Sequence, residues 1–302
     1  MKSSIKIVLS VLIICAAFPA LSCQSFASAA QIAGATGLIN QNTANAISIS
    51  SQAIGKAAEE ITPEQEYYIG RAVAANILST YKLWNANPRL VAYVNRICNA
   101  IVINSPRPDI FSGYHVMLLD SDEINAFATS GGHIFITRGL IAAAKSEDAL
   151  AGVIAHEIAH IQLQHSIKSI KTSRITQALM VTGTSAAGAA AGYDVKELTD
   201  VFNESVGEIV TTMVNNGYSK TQEFDADTTA LGLLAATGYN PSGLIDMLRE
   251  LEKIQGNKSG GFNKTHPTPA QRISNAQKSV SKYKVANTAE SRQARFAANA
   301  IN

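Results

Sequence analysis

Apolar positions along this chain recur mostly at helical spacing. Thr62-Pro63-Glu64-Gln65 sets a capping hydroxyl, a first-turn proline and a glutamine in order, and Tyr67, Ile69, Val73 and Ile77 follow on one face. A helix is therefore predicted to start there. Leu90, Val91, Val94, Ile97 and Ile101 predict a second helix over 89–103. Residues 114–119 are bulky and β-branched and read as a strand. The segments 125–130 and 133–137 flank Gly131-Gly132 and read as a hairpin or a bent strand pair. Ser146-Glu147-Asp148 places a capping serine ahead of two acids, and the helix it opens is predicted to run through about residue 165. A helix over 221–237 is closed by Gly238, and Asn240-Pro241-Ser242 opens another as far as 254. A glycine-rich loop over 256–262 leads to Thr265-His266-Pro267-Thr268-Pro269 and a helix near 269–282. Residues 285–302 read as a tail.

The first residues follow a different pattern. Lys2 and Lys6 precede an apolar run over 7–18, broken only by Ser10 and ended by Pro19. That is the layout of a secretory signal peptide, too short to span a bilayer comfortably. Two cleavage sites compete. Ala20-Leu21-Ser22-Cys23 is similar to a bacterial lipobox, which would leave Cys23 acylated and the signal at 1–22. Ala27-Ser28-Ala29 is an A-x-A site, which would end the signal at 29. If Cys23 is acylated, the following Gln24 points to the outer membrane. The expected location is thus the periplasm, with any membrane contact made only through a lipid on Cys23. Residues 30–60, rich in Ala, Ser, Asn and Gln, read as a tether or a loosely packed helix, and the folded domain is expected over 61–284. Residues 176–192, mostly Ala, Gly, Ser and Thr, read as a helix end and connection.

Composition narrows the partners. The 302 residues are 46% apolar and 16% charged, enough for a real core. Lys and Arg total 25 against 23 acids, a net charge of +2, so no basic surface for nucleic acid is indicated. Three cysteines exclude a disulfide-dense scaffold, and Cys98 reads as a buried thiol on an apolar helix face.

The chemistry is concentrated in His156-Glu157-Ile158-Ala159-His160. Residues four apart share a helical face, so His156 and His160 can point at one ion from consecutive turns. Glu157, one residue on, leans beside that ion, where a base suits an attacking water. The competing reading is a pair of solvated histidines with a surface acid. The apolar neighbours Leu150, Val153, Ile154, Ile158 and Ile161 argue against it and predict a half-buried face. His165 lies about 180° around the helix from His156 and cannot reach the same ion while the helix continues. Glu223-Phe224-Asp225-Ala226-Asp227 supplies a better third ligand: Glu223 and Asp227 share a face, one suited to the ion and the other to the free ring N–H of a ligating histidine. An acidic first turn placed for the helix dipole would also give this pattern.

At this point the sequence resembles the zinc endopeptidases related to HtpX and the CAAX prenyl protease, metallopeptidase family 48. The resemblance runs through Asn125-Ala126-Phe127-Ala128, Gly131-Gly132-His133-Ile134-Phe135-Ile136, Gly139-Leu140, the segment 153–160, Tyr218-Ser219, the segment 223–227, Thr265-His266-Pro267 and Arg272-Ile273. It is greatest for the exported bacterial branch and covers about 64–276. It implies an α+β, mostly helical, zincin-type domain with a small sheet packed over the His-Glu-x-x-His helix. It further implies one Zn2+ held by His156, His160 and Glu223, with Glu157 as general base and Asp227 as the partner of a ligating histidine. The strand around His133, with Gly132, Ile134 and Phe135, would be the edge that holds an extended protein or peptide substrate. His266 would lie near the zinc, either assisting the transition state or plugging the metal, unless it merely caps the next helix. Arg272 would anchor that segment or meet a carboxylate. The expected function is hydrolysis of exported, misfolded envelope proteins. The alternative is a chaperone-like or scaffolding protein that uses the same groove with little cleavage.

Overall fold

A computed structural model describes residues 23–45, 47–48, 62–168, 204, 206–255 and 266–299. The apolar run over 7–18, the connection over 176–192, the loop over 256–262 and the domain boundary at 61 lie outside the described residues. Two compact units are formed, residues 1–60 with 170–205, and 61–169 with 206–302. In the first, helix α1 spans Cys23–Ala35 and so contains both candidate cleavage motifs' last residues. No helix among the described residues is long and apolar enough to cross a membrane.

The second unit carries the predicted elements. Helix α2 (Pro63–Thr80) opens with a complete capping box, Thr62 and Gln65 each accepting from the other's backbone N–H. Helix α3 (Pro88–Ile103) starts at Asn87, whose side chain accepts from Leu90 N–H. Its inner face buries Cys98, and that burial pushes the thiol up to about 12. Strands β1 (His115–Leu119), β2 (Ala126–Ala128) and β3 (His133–Thr137) form a sheet in the order β1-β3-β2. β2 and β3 are antiparallel, with Phe127 opposite Phe135, as the Gly131-Gly132 signal predicts. Helices α4 (Arg138–Ala143) and α5 (Glu147–Gln162) follow, then a π-helical turn at Thr212–Asn216 and helix α6 (Lys220–Thr237). Helices α7 (Ser242–Gln255), α8 (Pro269–Val280) and α9 (Ala289–Asn299) complete the unit.

The sheet overturns one expectation. β3 is the central strand, parallel to β1 from His115↔His133 to Leu119↔Thr137 and antiparallel to β2 on its other side. It is not an edge. Its Ile134 and Phe135 are wholly buried, so neither offers a side chain to a substrate. Gly132 also has a packing reason: φ is +91°, and an added Cβ would stand 2.1 Å from the Gly113 carbonyl oxygen. Among the described residues, β1 and β2 are the outer strands, and β1 carries a short bridge on its far side, Leu83↔Leu119, that β2 lacks.

Helix α5 lies at the centre. It packs on β2 and β3 in one direction and on α3, α6, α7 and α9 in others. Every residue from Ala149 to Ile161 is buried, which is the signature of a core helix and not of a half-exposed one. Gly152 allows α7 to cross closely, since a Cβ there would meet Leu244 Cα at 2.7 Å.

Two more expectations are corrected. α5 ends at Gln162, not near 165, and Gln164 takes a left-handed φ of 55°. The segment read as a tail forms α9, because Arg292 pairs with Asp148 (Nε–Oδ1 2.8 Å) and Arg295 with Glu147 (Nε–Oε2 3.1 Å) at the start of α5.

Candidate metal centre

Ser146 caps α5 by accepting from Ala149 N–H, and the regular helix beyond it puts His156 and His160 on one face one turn apart. Ser219 caps α6 with Gln222 in a second capping box, which fixes Glu223 and Asp227 one turn apart in the facing helix. The two helices bring three side chains together. His156 Nε2 and His160 Nε2 are 3.1 Å apart, and the Glu223 carboxylate lies 3.5 Å from each. His266 joins them: the four residues each offer one ligand atom within 4.8 Å of the others. All four side chains are buried.

These distances suit an ion. Bonds of about 2.0–2.2 Å in a tetrahedral arrangement set ligand atoms roughly 3.3–3.6 Å apart. Buried polar atoms support the fit: Glu223 Oε1 and Glu157 Oε1 have no hydrogen-bond partner among the described residues. Native proteins rarely leave such oxygens unsatisfied.

The charges are set by what surrounds each group. Burial pushes Glu157 up to about 7, outweighing the His156 imidazole. Burial would also raise Glu223, but His266, His156 and His160 hold it well below the usual carboxylate range. Burial, with His156 beside it, holds His160 well below the usual imidazole range, so it is neutral. Burial and Arg272 act to lower His156, yet the hydrogen bonds to Asp227 and Glu223 carry it up to about 9. Burial and Lys168 lower His165 to about 4.

Asp227 Oδ1 lies 3.0 Å from His156 Nδ1, the ring nitrogen away from the Nε2 cluster. Arg272, which has no exposed surface, donates from Nε to Asp227 Oδ2 at 3.0 Å and from Nη2 to Oδ1 at 2.6 Å. Arg272 therefore meets a carboxylate, one of its two expected roles, and is not a surface contact for substrate. His266 Nδ1 lies 2.8 Å from Glu223 Oε2. It does not cap α8, whose N-cap is Thr268. His133 is half-buried, 3.2 Å from Thr129 Oγ1 and stacked beside Tyr67.

Sequence reasoning missed two neighbours of His160. His165 Nδ1 is 2.9 Å from His160 Nδ1, because the helix stops short of it. Tyr218 stacks on the His160 ring at 4.4 Å with an interplanar angle of 22°. A π-helical turn ending at Gly217 (φ +75°) delivers Tyr218 there, and π turns often mark functional sites.

A helix carrying His-Glu-x-x-His, faced by a glutamate from a second helix and flanked by a small sheet, defines a zincin-like α+β metalloendopeptidase domain. The chain belongs to peptidase family M48, whose profile matches residues 87–280. It is similar to the β-barrel assembly-enhancing protease of Yersinia pestis, 25% identical over 222 residues, 70% of this chain and 43% of that protein. It is 28% identical over 183 residues to the mitochondrial metalloendopeptidase OMA1 of Schizosaccharomyces pombe, 60% of this chain and 50% of that protein. The metalloprotease LoiP of Escherichia coli is 27% identical over 187 residues, 62% of this chain and 69% of that protein. The chain spans about half the length of the first two of these relatives.

Proposed function

We propose that this chain is a zinc-dependent endopeptidase that hydrolyses exported proteins of the cell envelope. The observation that carries the reading is the convergence of His156 Nε2, His160 Nε2 and Glu223 beside the buried, unsatisfied oxygen of Glu157. Two imidazoles and a carboxylate are a donor set that suits zinc in a catalytic site. Zinc held there would polarise the scissile carbonyl and make the attacking water more acidic.

The remaining steps belong to the chain's own groups. Glu157 accepts the proton of the attacking water and returns it to the leaving amine nitrogen. Asp227 accepts the Nδ1–H of His156, which leaves Nε2 as the ligand atom. Arg272 neutralises Asp227 so that this carboxylate can stay ionised in the core. An extended substrate backbone pairs with the open side of β2, by strand addition, in place of the β3 edge suggested by the sequence. His266 closes the site by standing where a fourth ligand would bind, and its withdrawal opens it to substrate.

The setting follows from the signal-like segment at 1–29 and from relatives named for β-barrel assembly. Misfolded envelope proteins are the proposed substrates, and the periplasm, with or without a lipid on Cys23, is the proposed location. Intact mass of the mature protein reads the cleavage site and any acylation.

The central test is Glu157→Gln. The variant should keep about one zinc per chain and lose hydrolysis by roughly 10²–10⁴-fold. Full activity would overturn the mechanism. A cellular role that survives the loss of cleavage would favour the chaperone-like alternative.

A further inference from the structure

Among the described residues no carboxylate stands on His160 Nδ1 as Asp227 stands on His156, yet that ring nitrogen is not idle. His165 Nδ1 faces His160 Nδ1 at 2.9 Å, a hydrogen-bond distance between two ring nitrogens. One of them must carry the proton and the other must present its lone pair. If the proton sat on His165 Nδ1, neutral His160 would hold its own proton on Nε2, pointing it into the cluster. If the proton sits on His160 Nδ1, Nε2 is free to bind an ion. Only the second arrangement leaves His160 a ligand.

We propose that His165 is a positioning residue: its Nδ1 accepts the Nδ1–H of His160 and thereby holds that imidazole in the tautomer and rotation that present Nε2 to the metal. This deepens the zinc-peptidase reading and rests on it. His165 itself never touches the ion, for it is not among the four residues whose ligand atoms converge.

The chain is built to put His165 there. Arg107 Nη1 donates to the last carbonyls of α5, Ile161 O at 3.3 Å and Gln162 O at 3.4 Å. Glu66 receives Arg107 Nη2 and Gln164 Nε2, each at 3.3 Å. Gln164 sits at a positive φ that glutamine seldom adopts, with its side chain fixed by that buried acid. The helix is stopped at this point and the next residue folds back onto His160. Tyr218, stacked on the opposite partner of the pair, sets the plane of the His160 ring while His165 sets its rotation. The two zinc histidines are thus oriented by different means, one by a carboxylate and one by a neutral imidazole.

The experiment uses the full mature chain with His165→Ala, His165→Phe and His165→Gln. Zinc affinity is read by chelator competition, the ligand field by the visible spectrum of the Co2+-loaded protein, and fold by thermal melting without metal. Glutamine's side-chain oxygen can accept the His160 proton, whereas alanine and phenylalanine cannot. Expected results are a roughly 10–100-fold loss of zinc affinity and an altered cobalt spectrum in Ala and Phe, with substantial recovery in Gln. Phe fills the site, so it also serves if Ala does not fold. Equal zinc affinity and an unchanged cobalt spectrum in Phe would overturn the proposal. Equal losses in Phe and Gln, tracking a lower metal-free melting temperature, would overturn it in favour of packing. A wild-type chain that binds no zinc would instead refute the underlying reading.

Discussion

Asp227 Oδ1 stands 3.0 Å from His156 Nδ1 while the same carboxylate takes two hydrogen bonds from Arg272. One side chain therefore serves a ligand and a buried cation. Asp227→Asn should weaken zinc binding by about 10–100-fold through the ligand. It should also lower the melting temperature of the metal-free protein, since a buried guanidinium loses its nearer counter-charge and keeps only Glu223 at 3.8 Å, at a cost of up to about 3–5 kcal/mol. Chelator competition and calorimetry separate the two effects; unchanged values in both would leave Asp227 with no part in holding either the ligand or Arg272.

Metal uptake should depend on pH through His156. Its imidazole is held up to about 9 without metal, and the ion binds only the neutral ring. A proton must therefore leave on binding at neutral pH. Apparent affinity should rise with pH up to about 9 and fall by as much as tenfold per unit below it. Isothermal titration in buffers of different ionisation enthalpy would count the released proton, and a count of zero would refute this.

Catalysis should fail on the acid side. Glu157 must be ionised to accept a proton, and burial, outweighing the pull of His156, sets it at about 7. A bound dication draws it lower, so the acid limb of kcat/KM should lie at or below 7, falling tenfold per unit. A rate that climbs as pH drops from 8 to 6 would contradict the assignment.

His266→Ala should raise cleavage of an unfolded protein if the imidazole closes the site, because Glu223 is released and a coordination position is cleared. A large loss of cleavage would assign His266 to the transition state instead.

Arg295→Ala removes a partner of Glu147, a carboxylate with 1% exposure. Tyr93 continues to donate to the same group at 2.8 Å, so the loss should be partial, about 1–3 kcal/mol in denaturant unfolding. Truncation before α9 should cost more, as Arg292 and Asp148 part as well.

Local rules carried most of what was legible in the sequence. The Thr62, Ser146 and Gly238 signals mark helix ends because each acts within one turn. The four-residue spacings of His156 with His160 and of Glu223 with Asp227 survive folding because a helix keeps its own geometry. What was missed depends on distant partners. α5 ends without glycine or proline, and the group that stops it, Arg107, is 54 residues upstream. α9 is anchored chiefly by the ion pairs of Arg292 and Arg295, with Phe296 as its one large apolar residue against the core, so its sequence gives little sign of docking. The central place of β3 depends on a parallel pairing with β1 that no hairpin signal encodes.

The helix with both histidines is gripped at its two ends by arginines, Arg107 below and Arg292 with Arg295 above. The upper grip joins residues 148 positions apart. During synthesis, the ligand-bearing segment is thus made long before the groups that pair with Glu147 and Asp148. Contacts of such long range form late and slowly. A chain made only as far as α5 therefore leaves Glu147 without the cation that it meets in the folded protein.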